Sequence, residues 1–264
     1  MTEAEPLFTF RTGARTDTGR VRSHNEDSVA ALPDLGIWAV ADGMGGHAAG
    51  DVASSIIVEE LASLGVPVSA QDQRARVLER LDRAHHRIAA YAAEQGQRTV
   101  GATVAALLVH GGELTCIWAG DSRIYLWREG VLTPLTRDHS EVAQMVAAGT
   151  LTEDEARTSP RRNVITRAVG IGAEARPELV SGALRSGDRL LLCSDGLTEH
   201  LGEDDLAQAL GSEVPAELLA ENLLNATLNR GARDNVSVIV VDCEAVPVAD
   251  EDMVKKFAGE FGKD

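Results

Sequence analysis

Three apolar runs in this chain end on an aspartate, and a fourth begins just after one. IWAVAD runs into Asp42, TCIWAGD into Asp121 and LLLCSD into Asp195, while Asp234 stands just before VSVIVV. Each run reads as a β-strand or its end, from its short length and its β-branched and aromatic content. RLLLC and VSVIVV are apolar on both faces, so other elements must cover both faces. That restricts the chain to layered folds that carry carboxylates at strand ends. Asp42 and Asp195 are each followed by glycine, in DGMGGH and SDGL. Carboxylates beside bare backbone suit hard divalent cations, which take oxygen ligands on a tightly turning chain.

The strands pair locally. ATVAALLVH and ELTCIWAG flank Gly111-Gly112, a two-residue turn able to take positive φ at both positions. SRIYLW and VLTPLT flank a short turn at Arg128-Glu129-Gly130. Adjacent hairpins make antiparallel sheet. Three amphipathic helices supply the cover: Ala53, Ile57, Leu61 and Leu64 share one face; Val77, Leu81, Ala84, Ile88 and Tyr91 a second; Ala216, Leu219, Leu223 and Ala226 a third, with Pro215 suited to the first turn. Helices packed on antiparallel sheets give an α+β layered sandwich. Between 138 and 177 the pattern weakens. Ser140 caps a helix of EVAQMVAAG closed by Gly149, Thr152 with Glu155 forms a capping box, and SPRRNVITR adds a basic cluster. This stretch reads as a flap inserted on one continuous domain of residues 1–245, followed by a charged tail, 246–264.

The 264 residues carry a formal net charge of -16, which argues against a general nucleic-acid or anionic-membrane binder. MTEAEPLFTF lacks the basic start and apolar core of a signal peptide, and no apolar run approaches the ~20 residues of a membrane span. Cys116, Cys193 and Cys243 lie in apolar strand patterns without metal-ligand spacing, as small core residues of a reducing, cytoplasmic compartment do.

Taken singly, each aspartate has a plainer reading. Asp42 can cap the helix after its glycines, Asp195 the helix starting at Leu197; Asp234 can make an Asx turn with Asn235, and Asp121 is an ordinary turn residue in GDSR. RTDTGRVRSHNED adds Arg22, suited to gripping a phosphate through parallel hydrogen bonds, with Glu26 and Asp27 to orient water near cations.

In this order TDTGRVRSHNED, DGMGGH, GDSR, DHS, SDGLTE and RDN resemble the bacterial type 2C (PPM) metal-dependent serine/threonine protein phosphatases, from about Phe8 to Val241. The resemblance implies a four-layer sandwich, a central antiparallel β-sandwich flanked by helices, with a flap. It implies that Asp42 bridges two Mn or Mg ions, that Asp195 and Asp234 complete one site, and that the Gly43 carbonyl serves the other. Asp121 with Asp195 is implied to hold a third, weaker metal, Arg22 to bind the phosphate, and Asp27 with Glu26 to hold water. The resemblance further implies direct hydrolysis of phosphoserine or phosphothreonine, for which two cations about 3.5–4 Å apart would supply an acidified water near neutral pH. The leaving alkoxide needs a proton. Animal members carry a histidine two residues after the bridging aspartate; here Met44 stands there, and His47 is the candidate acid. The expected partners are phosphorylated proteins, among them a serine/threonine kinase, met by a monomer. The alternatives are a non-catalytic phosphatase-like sensor or scaffold, and a phosphatase of small phosphoesters.

Overall fold

The computed structural model describes residues 7–45, 49–96 and 99–246. Strand alternation builds the layers. One sheet contains β1 (Phe8–Asp17), β7 (Arg123–Arg128), β8 (Val131–Pro134), β10 (Arg189–Cys193) and β11 (Val236–Ala245), ordered β1-β11-β10-β7-β8. The other contains β2 (Asp27–Leu32), β3 (Ile37–Met44), β5 (Val104–His110), β6 (Glu113–Ala119) and β9 (Glu178–Ala183), ordered β2-β3-β5-β6-β9, with the short β4 (Gly101–Ala102) beside β3. Every registered strand pair is antiparallel.

Even and odd positions of the central strands go to different cores. Trp38, Val40, Leu107, Leu190, Leu192, Ile239 and Val241 pack between the sheets. Ile37, Ala39, Ala106 and Leu108 point outward onto Ile57, Leu61, Leu81 and Ile88 of α1 (Ala49–Ala62) and α2 (Ala70–Glu94). On the opposite side Leu191, Cys193, Val238 and Val240 meet Leu206, Leu219 and Leu223 of α6 (Glu203–Leu210) and α7 (Ala216–Asn229). The sequence of layers is helices, sheet, sheet, helices. The three cysteines are buried and unbridged, as their strand positions imply.

Three local expectations need correction. Of the glycine pair at the β5–β6 turn, only Gly111 takes positive φ (55°); the turn with both residues positive is Glu129 (51°) and Gly130 (83°), between β7 and β8. Tight pairing of Arg128 with Val131 forces Glu129 into the left-handed region that a side chain normally avoids. Pro215 stands one residue before α7, at its N-cap, and not in its first turn. Finally β1, β9 and α6 were not legible as separate elements. β1 exposes polar positions along its length and β9 is exposed throughout, so neither carries a full apolar signal.

Between β8 and β9 the chain forms α3 (Glu141–Ala147), capped by Ser140 Oγ, and α4 (Glu153–Thr158), whose Thr152 and Glu155 make the expected capping box. Gly149 closes α3 with φ of 70°. Residues 247–264 lie outside the described residues.

Trp38 ties the two sheets together. It is fully buried, its indole N–H donates to Thr12 Oγ1 at 3.0 Å, and Phe10 meets it edge-on with ring centroids 4.9 Å apart. Trp38→Ala removes this filling and leaves a cavity between the sheets, with a loss of roughly 3–5 kcal/mol in stability. Urea unfolding followed by circular dichroism measures it; a loss under about 1 kcal/mol would show that the inter-sheet core does not depend on this residue.

Candidate active site

Antiparallel pairing brings the acidic strand ends to one edge of the sandwich. Asp27, the first residue of β2, lies in register with Asp42, near the end of β3. The Asp42 N–H donates to Thr103 Oγ1 (3.0 Å) and its carbonyl accepts from the Thr103 N–H (2.8 Å). Thr103 Oγ1 in turn shares a hydrogen bond with Ser122 Oγ (2.7 Å), which fixes the loop carrying Asp121. Gly120 in that loop has φ of 115° and lies against Thr103, where any side chain would overlap. On the other sheet Asp195 opens α5 (Asp195–Thr198), directly after β10. Ser194 Oγ–H donates to Asp27 Oδ2 (2.8 Å), and Ser194 Oγ accepts from the Ser237 N–H (3.0 Å), so one hydroxyl joins the two sheets here.

Asp234 precedes β11. Its Oδ2 accepts from the Arg22 guanidinium at 2.7 Å and its Oδ1 from the Asn235 N–H at 2.9 Å. Asn235 locks the loop of Arg22 in place: its amide donates to the carbonyls of Thr18 and His24, both at 2.9 Å, and its Oδ1 accepts from the Glu26 N–H at 2.8 Å. Glu26 lies against Gly50 in the first turn of α1; burial raises its carboxyl above the usual range, against the opposing hydrogen bond from the Gly50 backbone. A methyl group at Gly43 would overlap the Gly50 carbonyl oxygen, so bare backbone is required where the chain passes the acidic cluster.

Electrostatically this edge is unresolved. Asp27 and Asp121 are each only 7% exposed. Burial, then the charge of its neighbours Asp27, Asp195, Asp121 and Asp234, holds Asp42 well above the usual carboxylate range. Burial, then Asp121 and Glu199, does the same to Asp195. Burial raises Asp27 to about 6, against the opposing hydrogen bonds of Ser237 and Ser194. It raises Asp121 to about 7, helped by Asp138. Asp27 Oδ1 and Asp195 Oδ1 are buried without any hydrogen-bond partner. Among the described residues no three His, Cys, Asp or Glu side chains are already closed around one point as a finished ion shell. An all-oxygen donor set, two orphaned buried oxygens and mutual repulsion are nonetheless what a hard divalent cation would satisfy.

The sequence expectations meet the structure unevenly. Asp27, Asp42, Asp121, Asp195 and Asp234, with Glu26, Arg22 and Gly43, do come to one edge. His47 lies outside the described residues. Asp195 does stand at a helix start, but the helix begins at Asp195 itself, and Ser194 occupies the cap position. The side chain of Asp234 binds the next N–H in the chain, not the one two residues on that an Asx turn uses. Arg161, Arg162 and Arg167 are paired with Glu141, Glu199 and Glu178, so the flap cluster is not a free basic surface. His139 is buried, stacked on Trp118 with centroids 5.9 Å apart and 3.3 Å from Glu178; its place is structural. Thr103, Ser194 and Asn235 were missed as organisers. Their only signal was adjacency: Ser194 and Asn235 flank two of the aspartates.

A model of the family described as protein phosphatase 2C matches residues 18–230. The chain belongs to the protein phosphatase 2C family. It is 40% identical over 240 residues to the serine/threonine protein phosphatase PstP of Mycobacterium tuberculosis, which covers 90% of this chain but 46% of that protein. It is 32% identical to the serine/threonine phosphatase stp of Listeria monocytogenes, over 86% of this chain and 94% of that one. The solved catalytic domain of PstP in complex with two manganese ions superposes with a TM-score of 0.82 at 37% identity, covering 90% of this chain and 100% of that one. The chain thus spans about half the length of the M. tuberculosis protein, and nearly all of its solved domain.

The acids of this 2C-family chain make its stability depend on pH. An acid whose folded pKa exceeds its unfolded value binds more protons folded than unfolded between those values, so stability falls as pH rises through that window. For Asp27 the window runs from 3.8 to about 6. In chelator-treated protein, Asp27→Asn should raise stability by about 1–3 kcal/mol at pH 8, with the gain shrinking toward pH 4. Urea midpoints across that range measure it. A loss at pH 8 would mean that the charge of Asp27 is already compensated.

Proposed function

We propose that the chain hydrolyses phosphoserine and phosphothreonine in proteins in a metal-dependent reaction. The observation that carries this reading is the gathering of buried, uncompensated carboxylates beside one half-exposed arginine, in a 2C-family fold. By motif, Asp42, the Gly43 carbonyl, Asp195 and Asp234 would hold two Mn or Mg ions, with Asp121 and Asp195 available to a third. Bound there, the ions supply Lewis acidity and an acidified water.

The chain's own groups do the rest. Arg22 keeps 53% of its side chain exposed while it pairs with Asp234, which leaves N–H donors available to bind phosphoryl oxygens. Asp27 offers its orphaned Oδ1 as an acceptor of a hydrogen bond or a proton from water held beside the ions. Glu26, fixed at the start of α1, orients water on the same side. His47, in DGMGGH, is our candidate donor to the leaving alkoxide. Cys193 needs no part as nucleophile: burial pushes its thiol up to about 12.

We include a phosphorylated serine/threonine kinase among the proposed substrates, on family resemblance alone. A monomer is supported by exposed apolar side chains scattered over separate elements, such as Val21, Val131, Met145 and Leu218. Three unbridged buried cysteines support a cytoplasmic location. Among the described residues no helix is long and apolar enough to cross a membrane.

Phosphate release from a phosphothreonine peptide tests the reading. Wild type should turn over with Mn or Mg and stop with a chelator; Asp195→Ala should lower kcat at least about 100-fold. Metal-loaded wild type inert toward phosphopeptides and aryl phosphates alike would instead favour a sensor or scaffold. Turnover of aryl phosphates alone would favour a small-molecule phosphatase.

A further inference from the structure

The net charge of -16 sets this chain a problem if its substrate is a phosphopeptide, because the protein repels anions overall. Its arginines are almost all spent on its own carboxylates. Among the described residues every arginine except Arg20, Arg137 and Arg233 stands within 4.0 Å of a carboxylate oxygen. Two of the three exceptions are not scattered. Arg20 lies two residues before Arg22, Arg233 immediately before Asp234, and the Arg20 N–H donates to the Ala232 carbonyl at 2.8 Å. Both are exposed. They therefore sit on the two strands of backbone that carry the Arg22–Asp234 pair.

Two carboxylates close to them in sequence already accept hydrogen bonds. Asp17 Oδ1 accepts from the Gly19 N–H at 2.8 Å, and both oxygens of Asp234 are taken by Arg22 and the Asn235 N–H. The flap side of the mouth offers no equivalent, because Arg161, Arg162 and Arg167 are each paired there.

We propose that Arg20 and Arg233 form an electropositive rim that selects phosphopeptides with an acidic side chain one or two residues from the phosphorylated one; this rests on the phosphatase reading above. Arg20 and Arg233 flank the Arg22–Asp234 pair on adjoining backbone, and residues one or two apart in an extended peptide are about 3.5–7 Å apart, so an acidic side chain next to the phosphorylated one is within reach of long arginine side chains there. Among the described residues neither guanidinium pairs with a carboxylate that would compete. The rim also draws anions toward an otherwise repelling surface, so the effect falls on capture of the peptide and not on the chemistry.

Phosphothreonine peptides flanked by aspartate or by alanine, and an aryl phosphate, are compared on wild type, on the Arg20→Gln/Arg233→Gln double variant and on Arg137→Gln as control. Wild type should favour the acidic peptide in kcat/KM by about five- to tenfold in low salt, and less as salt rises. The double variant should lose that preference through KM, with the alanine peptide and the aryl phosphate unchanged within about twofold; Arg137→Gln should keep it. A wild type without the preference, or a double variant equally impaired on all three substrates, overturns the rim while leaving the phosphatase reading intact. If wild type turns over nothing, the phosphatase reading fails. The rim is then judged by the affinity of the same labelled peptides, and equal affinity in wild type and double variant overturns it.

Discussion

Repulsion among carboxylates is the constraint around which this molecule is built. Asp27, Asp42, Asp121 and Asp195 are each pushed toward the protonated form first by burial and then by neighbouring acids, Asp234 for Asp27, Asp138 and Glu199 for Asp121, and other members of the cluster for Asp42 and Asp195. Left to itself, such a cluster would separate or take up protons. It is held together because the strands that carry it are buried on both faces and cannot shift without opening two cores at once. The neutral residues between the acids serve the same end. Thr103 and Ser122 bind the loop of Asp121 to the end of β3, Ser194 bridges the sheets, and Asn235 fastens the Arg22 loop. Stability spent in this way leaves a local charge imbalance that a divalent cation can discharge, which is how a fold becomes a site.

Charge is distributed unevenly on the rest of the surface for the same reason. A phosphopeptide, the substrate we propose, is repelled by such an acidic surface. Among the described residues most guanidinium groups have internal partners, such as Arg189 with Asp242 and Arg128 with Asp188, while Arg20 and Arg233, beside the Arg22–Asp234 pair, meet no carboxylate. The paired arginines of the flap are fixed to Glu141, Glu199 and Glu178. They shape that segment more than they attract ligands.

Much of this was legible in the sequence because it depends on strong local patterns. Two-faced apolar runs such as RLLLC and VSVIVV fixed the need for cover on both sides, and the capping residues Ser140 and Thr152 marked their helices correctly. The ordered motifs marked which acids belong together. What was hidden depends on partners far away in the chain. β1 alternates weakly because its outer face meets α7, and a strand with mixed exposure looks like a loop when read alone. Asn235 reads as an ordinary turn residue until Thr18 and His24 are brought beside it, more than 200 residues away. The pairing of the flap arginines likewise needs the fold, since Arg162 meets Glu199 only after β9 and β10 have returned the chain.

The central claim is that near pH 6 the acidic edge becomes fully charged only when cations compensate it. Titration calorimetry of Mn at pH 6, repeated in buffers of different ionisation enthalpy, counts the protons released on binding. Carboxylates whose pKa values stand at about 6 and about 7, like those of Asp27 and Asp121, must shed protons to accept the ions, so roughly one proton or more per protein should be released at pH 6, and fewer at pH 8.5. Binding with no proton release at pH 6, or no binding at all, would contradict it.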